Sequence, residues 1–213
     1  MIKTKKQTYE AKTVILATGA FPRELGLPNE RELRGRGVSY CATCDGMFYK
    51  GKTVVIVGGG NTAVADAIYL AKICEKVYLV HRRDELRASK TYMDALEKTE
   101  NIEFLWSSEV RAVHAEQMVT GVTVRNKKDG SEQIVAADGV FVAIGNIPNT
   151  DLIKGQVELD EAGYVLADET TRTNIPGVFA AGDCTGAPLQ IANAVGEGHI
   201  AGLSAADYLD KQN

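Results

Sequence analysis

Residues 53–57, Thr53-Val54-Val55-Ile56-Val57, form a short β-branched apolar run that predicts a strand buried on both faces of a parallel sheet. Gly58-Gly59-Gly60 ends the run, and apolar positions then recur at helical spacing over 62–73, predicting a helix packed on that sheet. Residues 76–80 return to the strand pattern, which completes a βαβ unit. A helix capped by Ser89 and reaching Lys98 follows, then a third strand over 102–106. From Glu109 the pattern alternates in short segments, 110–115, 119–125 and 133–136, with Lys127-Lys128-Asp129-Gly130 as a hairpin turn. These segments predict an antiparallel meander inserted before the sheet resumes at 139–144. The fold class is α/β, a Rossmann-like domain carrying an inserted β-meander.

The flanks are sparser. Residues 13–17 read as a strand ending in Thr18-Gly19-Ala20, and 21–37 as loop. Beyond Gly145-Asn146-Ile147-Pro148 come a predicted hairpin over 158–165, a short strand at 178–181 and a helix over 190–209 rich in alanine and glycine. Boundaries near Gly37 and Pro148 divide the chain into 1–37, 38–148 and 149–213.

Composition narrows the function. With 213 residues, 45% of them hydrophobic, the chain can build an ordinary globular core. The balance of 28 acidic against 24 basic residues, a net charge of -4, gives no footprint for nucleic acid. No apolar run approaches the roughly 18 residues of a membrane span. Met1-Ile2-Lys3-Thr4-Lys5-Lys6 leads into polar sequence rather than a signal peptide, so the cytoplasm is the expected compartment. Four cysteines are too few for a disulfide scaffold, and a close pair in a reducing compartment points to redox chemistry or metal binding.

The glycine turn has a steric logic. Gly58 permits the tight exit from the strand, Gly60 lets the backbone approach a pyrophosphate at the helix N-terminus, and small Ala63 lets helix pack on strand. Asn61 and Thr62 open that helix and belong to the same candidate site. An acidic residue ending the second strand would select NAD; His81 stands there instead, with Arg82, Arg83 and Arg87 behind it. Arginine forks match phosphate, so NADPH is the expected nucleotide. The competing explanation is a solvated charged loop in which Asp84 and Glu85 pair the arginines. Gly145, closing the returning strand, is a further candidate for cofactor contact. Gly196-Glu197-Gly198-His199-Ile200-Ala201 also fits the glycine template, but too few residues follow it for a second strand, and it reads as a helix face.

Just before the turn lies Cys41-Ala42-Thr43-Cys44-Asp45-Gly46. A pair at this spacing suits a redox couple with lowered thiolate pKa, and Asp45 could exchange the proton. Half of a zinc site is the rival, although no second Cys or His pair stands at ligand spacing, and no metal is assigned. Cys74 and Cys184 read as structural, and His114 and His199 as packing or surface residues.

These motifs, followed by Gly177-Val178-Phe179-Ala180-Ala181-Gly182-Asp183, stand in the order found in the low-molecular-weight thioredoxin reductases, which the chain resembles from about Thr13 onward. The resemblance implies NADPH-dependent, flavin-mediated reduction of a protein disulfide. Cys41 and Cys44 would be the disulfide that passes electrons to thioredoxin, with Asp45 as acid/base. NADPH would lie in 38–148, its pyrophosphate at Gly58, Gly60, Asn61, Thr62 and Ala63 and its 2′-phosphate at His81, Arg82, Arg83 and Arg87. FAD would meet Thr18, Gly19, Gly182 and Asp183, and the helix that opens at Gln190 and Ile191 would approach its isoalloxazine. The flanks would then be parts of a second, FAD-type Rossmann-like domain, 1–37 its trailing part and 149–213 its C-terminal part, with a hinge near Gly37 and residues 145–148. A homodimer also follows from the family.

Two departures accompany the match. Leu189-Gln190 stands where the family has Arg-Gln, and Ala65 precedes Asp66 where many members carry an earlier acidic residue. The family's N-terminal βαβ with its own glycine turn for FAD is not within this sequence. The polypeptide alone is therefore expected to bind NADPH while reducing thioredoxin poorly or not at all. The alternatives are a non-catalytic NADPH-binding module, half of a flavoprotein completed by another chain, or the similar flavoprotein that serves a peroxiredoxin.

Overall fold

The computed structural model describes residues 1–186 and 188–212. The chain forms two units, Pro22–Gly145 and the flanking pair Met1–Phe21 and Asn146–Asn213. In the first flank β1 (Ile2–Lys3) and β2 (Thr8–Tyr9) make a small antiparallel hairpin, followed by β3 (Val14–Leu16) and β4 (Ala20–Pro22).

The central unit runs through β5 (Val38–Ser39), α1 (Ala42–Asp45), a 3-10 turn at Gly46–Tyr49, β6 (Thr53–Gly58) and α2 (Asn61–Ala71). β7 (Lys76–Val80), α3 (Lys90–Leu96) and β8 (Ile102–Leu105) follow, then β9 (Ser108–Ala115), β10 (Val119–Asn126), β11 (Glu132–Ala136) and β12 (Gly139–Ala143). Five strands form one parallel sheet in the order β5-β12-β6-β7-β8.

Alternation along these strands sorts the core into two layers. Val54, Ile56, Val77, Leu79 and Phe141 face α2, where Ala63, Ala67 and Leu70 complete one cluster. Val55, Val57, Val80, Val140 and Val142 face the opposite way, against Val113, Val119, Val122, Val124 and Val135 of the three-stranded sheet β11-β10-β9. The meander is thus the second layer of the sandwich, occupying the face that a helix covers in most parallel sheets. Full burial of each such Val or Ile stabilises the unit by about 1.5–3 kcal/mol, so the fold rests on these two layers.

Residues 21–37, predicted as loop, start inside β4 and continue mostly as turns, and from Pro22 on they belong to the central unit rather than to the first flank. Leu33 is buried among the valines of the meander layer, with Leu25 and Leu27 against it, and Asn29 Nδ2 donates to the Val113 carbonyl at 2.9 Å. Gly37 holds φ at +120°, and a Cβ there would lie 2.5 Å from Val119 Cβ. The contact-defined divisions accordingly fall at Phe21/Pro22 and Gly145/Asn146, not at Gly37 and Pro148.

In the flanking unit β14 (Val178–Ala180) pairs parallel with β3, and α4 (Ile191–Asp210) packs Ala201 and Ala205 against Phe179. β13 (Asn146–Pro148) precedes them. The predicted hairpin at 158–165 is short, with one antiparallel bridge, Leu159 with Val165, between backbone bonds from Asp160 N–H to the Tyr164 carbonyl at 2.8 Å and from Leu166 N–H to the Glu158 carbonyl at 3.1 Å; at its tip the Asp160 carboxylate accepts the Ala162 and Tyr164 N–H groups at 2.9 and 2.8 Å. Gly196 and Gly198 lie inside α4, as the helix reading of that stretch required.

Asp66 is half-buried on α2, and removal from water pushes its carboxyl from 3.8 up to about 6. The folded chain therefore keeps a proton that the unfolded chain releases between about pH 4 and 6, and the ionised carboxylate destabilises the fold above that window. Asp66→Asn is expected to stabilise by ~1–2 kcal/mol at pH 7.5, allowing for partial solvent access, and by nearly nothing at pH 4. Urea denaturation at the two pH values checks this; an equal effect at both would contradict it.

Candidate functional site

The strand-to-helix turn is built under a close steric limit. Gly58 stands opposite Ala143 in the β6/β12 register, and a Cβ on it would run into the Ala143 carbonyl oxygen and lie 2.6 Å from Ala63 Cβ. Ala63 is fully buried there, packing α2 on the sheet. Gly59 lies on the imidazole of His81, which leaves no room for a side chain, whereas Gly60 faces open space. At the first turn of α2, Gly60 is the N-cap and no side chain caps the helix, so its leading N–H groups are presented to whatever enters the site.

A second segment lies along this turn. Arg87 N–H donates to the Gly59 carbonyl at 2.7 Å and Ser89 N–H to Asn61 Oδ1 at 2.8 Å, which fixes the loop after β7 beside the start of α2. His81 is 5% exposed; burial is the main cause lowering its pKa, and its Nε2 is buried without a hydrogen-bond partner. A neutral imidazole with one unused nitrogen therefore lies beneath the glycines. Asp84 is taken by Lys128 of the meander at 2.9 Å, not by the arginines. Among the described residues Arg82, Arg83 and Arg87 make no ion pair.

These elements border a cavity of about 1040 Å³ within the central unit. Gly58, Gly59, Gly60, Asn61, Thr62, His81, Arg82, Arg87 and Gly145 line it, together with residues that no motif singles out: Arg23, residues 25–28 and Arg111. Arg83 is not among the lining residues; its carbonyl accepts from Ser107 N–H at 2.8 Å. Gly145 has φ +96° and its carbonyl accepts from Arg23 N–H at 2.9 Å. A glycine cradle, an uncapped helix start and, among the described residues, Arg82 and Arg87 free of carboxylates fit a phosphorylated dinucleotide, while Arg111 is paired with Glu109 at 3.4 Å.

The cysteines sit on the same unit. Cys41 is the N-cap of α1 and is joined to Cys44 by a disulfide with 5.3 Å between the Cα atoms. Cys44 is exposed and Cys41 half-buried. Buried Ser39 orders the loop: its hydroxyl accepts from Cys41 N–H at 3.1 Å and donates to Asp45 Oδ2 at 2.6 Å. Asp45 is thereby held four residues after the N-cap cysteine, one helical turn on. Cys74 and Cys184 are buried free thiols, and burial pushes Cys74 up to about 11, which makes it unreactive near neutral pH. His114 pairs with Thr123 Oγ1 at 2.7 Å within the meander, and His199 is exposed on α4.

In the flanking unit Thr18 Oγ1 is buried without a partner, Gly19 and Gly182 have φ of +72° and +78°, and Asp183 opens a 3-10 turn. Gln190 is the N-cap of α4, where no side-chain cap forms, and Ile191 is 85% exposed. The Gly182 N–H donates at 2.7 Å to Glu197, a residue overlooked in the sequence, which also accepts from Thr185 Oγ1 and Asn193 Nδ2. An orphaned hydroxyl and an uncapped helix start are the kinds of donor a flavin can use. Among the described residues no helix is long and apolar enough to cross a membrane.

A family model for pyridine nucleotide-disulphide oxidoreductases matches residues 2–198. The thioredoxin reductase of Streptomyces clavuligerus is 49% identical over 203 residues, covering 94% of this chain and 63% of its own length. That of Coxiella burnetii is 48% identical over 223 residues, covering 100% of this chain and 70% of its own. Among solved structures, the thioredoxin reductase from Streptococcus pyogenes superposes with a TM-score of 0.90 at 43% identity, over 98% of this chain and 69% of that one. The enzyme from Giardia duodenalis gives 0.87 at 41% identity, over 93% and 66%. The chain thus spans about two thirds of the length of the curated relatives it matches. By sequence and by fold, the chain belongs to the pyridine nucleotide-disulphide oxidoreductases and, within them, to the thioredoxin reductases.

Proposed function

We propose that the central unit binds NADPH and that the electron pair it delivers reduces the Cys41–Cys44 disulfide, which then reduces a small dithiol protein of the thioredoxin type. The observation that carries this reading is the arginine loop beside the uncapped start of α2, with Arg82 and Arg87 lining the cavity and, among the described residues, free of ion pairs. The pyrophosphate would accept from the N–H groups at Gly60, Asn61 and Thr62, while Arg82 and Arg87 would hold the 2′-phosphate through paired N–H bonds. His81, neutral and unpartnered at Nε2, would give or accept one further bond there. Arg83 would act at longer range as a positive charge in the same loop.

The redox balance is NADPH plus a proton plus the disulfide giving NADP+ and two thiols. Asp45, oriented by Ser39, would hand the proton to a leaving thiolate. Thr18, Gly19, Gly182, Asp183, Gln190 and Ile191 would hold FAD, which when bound supplies a carrier of electron pairs between a hydride donor and a disulfide. A dithiol couple kept reducible by a nucleotide also suits the cytoplasm, where thiols are held reduced.

Two measurements test the reading. Arg82→Ala and Arg87→Ala should each weaken NADPH binding about tenfold, the effect of losing one charge-assisted phosphate contact, while NADH binding stays within about twofold. Calorimetric titration decides, and equal losses for both nucleotides would contradict a 2′-phosphate site. In native thiol titration, reduction should expose two fast-reacting thiols, and Cys44→Ser should leave a single fast thiol and no reducible bond. Fast thiols in the oxidised chain would contradict the assignment.

A further inference from the structure

Glu30 is 1% exposed and, among the described residues, forms no ion pair. A carboxylate taken out of water this far needs hydrogen-bond donors in place of solvent. Oε1 accepts from Leu25 N–H at 2.8 Å and from the Tyr40 hydroxyl at 2.7 Å. Oε2 accepts from Gly26 N–H at 2.8 Å and from Leu27 N–H at 3.3 Å. Burial, then the Glu30 carboxylate, raises the Tyr40 pKa, so its hydroxyl remains a donor. Gly26 at φ +80° is the left-handed residue that lets three consecutive amides converge on one anion.

Those three amides belong to residues that line the nucleotide cavity, whereas Glu30 itself does not reach it. We propose that Glu30 is a positioning residue for nucleotide binding: its buried carboxylate fixes residues 25–28 as one wall of the cavity. The inference rests on the nucleotide reading above. Glu30→Gln keeps the shape but replaces one acceptor oxygen with an NH2 group. With the NH2 at the Oε1 position, the Tyr40 hydroxyl can turn to accept, but Leu25 N–H then faces a donor. The other orientation sets two amides against donors, so at least one backbone bond is lost either way and the wall loosens.

Charge and position predict opposite results, which makes the test sharp. Removing a negative charge should tighten binding of an anionic nucleotide if Glu30 acts only through its field; if it positions the wall, binding should weaken. The intact chain, Glu30→Gln and Tyr40→Phe are titrated with NADPH by calorimetry, and amide hydrogen exchange is followed at residues 25–27 with and without NADPH. The expected result is at least about a fivefold rise in Kd for Glu30→Gln, larger than that for Tyr40→Phe, which leaves the three backbone bonds in place. In the wild-type chain, protection at those amides should rise on adding NADPH. A folded Glu30→Gln chain with a smaller rise, or tighter binding, overturns the proposal. So does wild-type protection that does not respond to NADPH, a readout that stands even if the variant fails to fold. A wild-type chain that does not bind NADPH overturns the nucleotide reading and this inference with it, whereas normal wild-type binding with an indifferent variant overturns this inference alone.

Discussion

At Gly58 and Gly59, where β6 runs toward α2, there is no volume left for a side chain. The Ala143 carbonyl fills the space above Gly58, Ala63 closes it from the helix, and the His81 ring fills the space beside Gly59. Each of these neighbours is placed by something larger: Ala143 by the parallel register of β6 and β12, Ala63 by packing of α2, His81 by the end of β7. The turn is therefore the point on which the sheet, the helix and the next strand converge. The N-cap that follows, Gly60, has no side chain, so α2 begins with bare backbone N–H groups rather than a side-chain cap.

The same sheet organises the redox end. β5 joins β12 at one edge, and the chain leaving it turns at once into the Cys41–Cys44 loop, with Ala42 and Tyr49 buried in the helix-side layer. Tyr49 meets Phe141 edge-on at 5.2 Å between ring centroids, so the short helical segment after the disulfide is fastened to the strand that also supports the glycine turn. The meander braces the opposite face and reaches the arginine loop through Lys128 and Asp84. That ion pair is exposed and contributes little to stability; its consequence is that a carboxylate near the arginines is already occupied.

Much of this was legible in the order of residues. The βαβ unit, the meander with its turn at 127–130 and the strand that returns after it are local patterns of period 2 or 3.6, and each took the form its pattern predicted. Residues 22–37 were not legible, because their few apolar positions, Leu25, Leu27 and Leu33, carry no period and gain their place only from valines some 80 residues later in the meander. β5 and α1 are too short to show a pattern, and Ser39 and Glu30 act through single hydrogen bonds that no spacing announces. Of the arginines, sequence proximity grouped three, while the geometry draws in Arg82 and Arg87, leaves Arg83 outside and brings Arg23 and Arg111 from afar.

In the proposed reading one contiguous unit, Pro22–Gly145, holds the nucleotide in the cavity beside the glycine turn. Backbone amide NMR of the intact chain during NADPH titration tests it most directly, because each amide reports its own surroundings. The largest shift changes should fall at residues 58–62, 81–87 and 25–27, with the amides of α4 and β14 unmoved. Changes concentrated in α4 and β14, or no changes at the glycine turn at saturating NADPH, would contradict it.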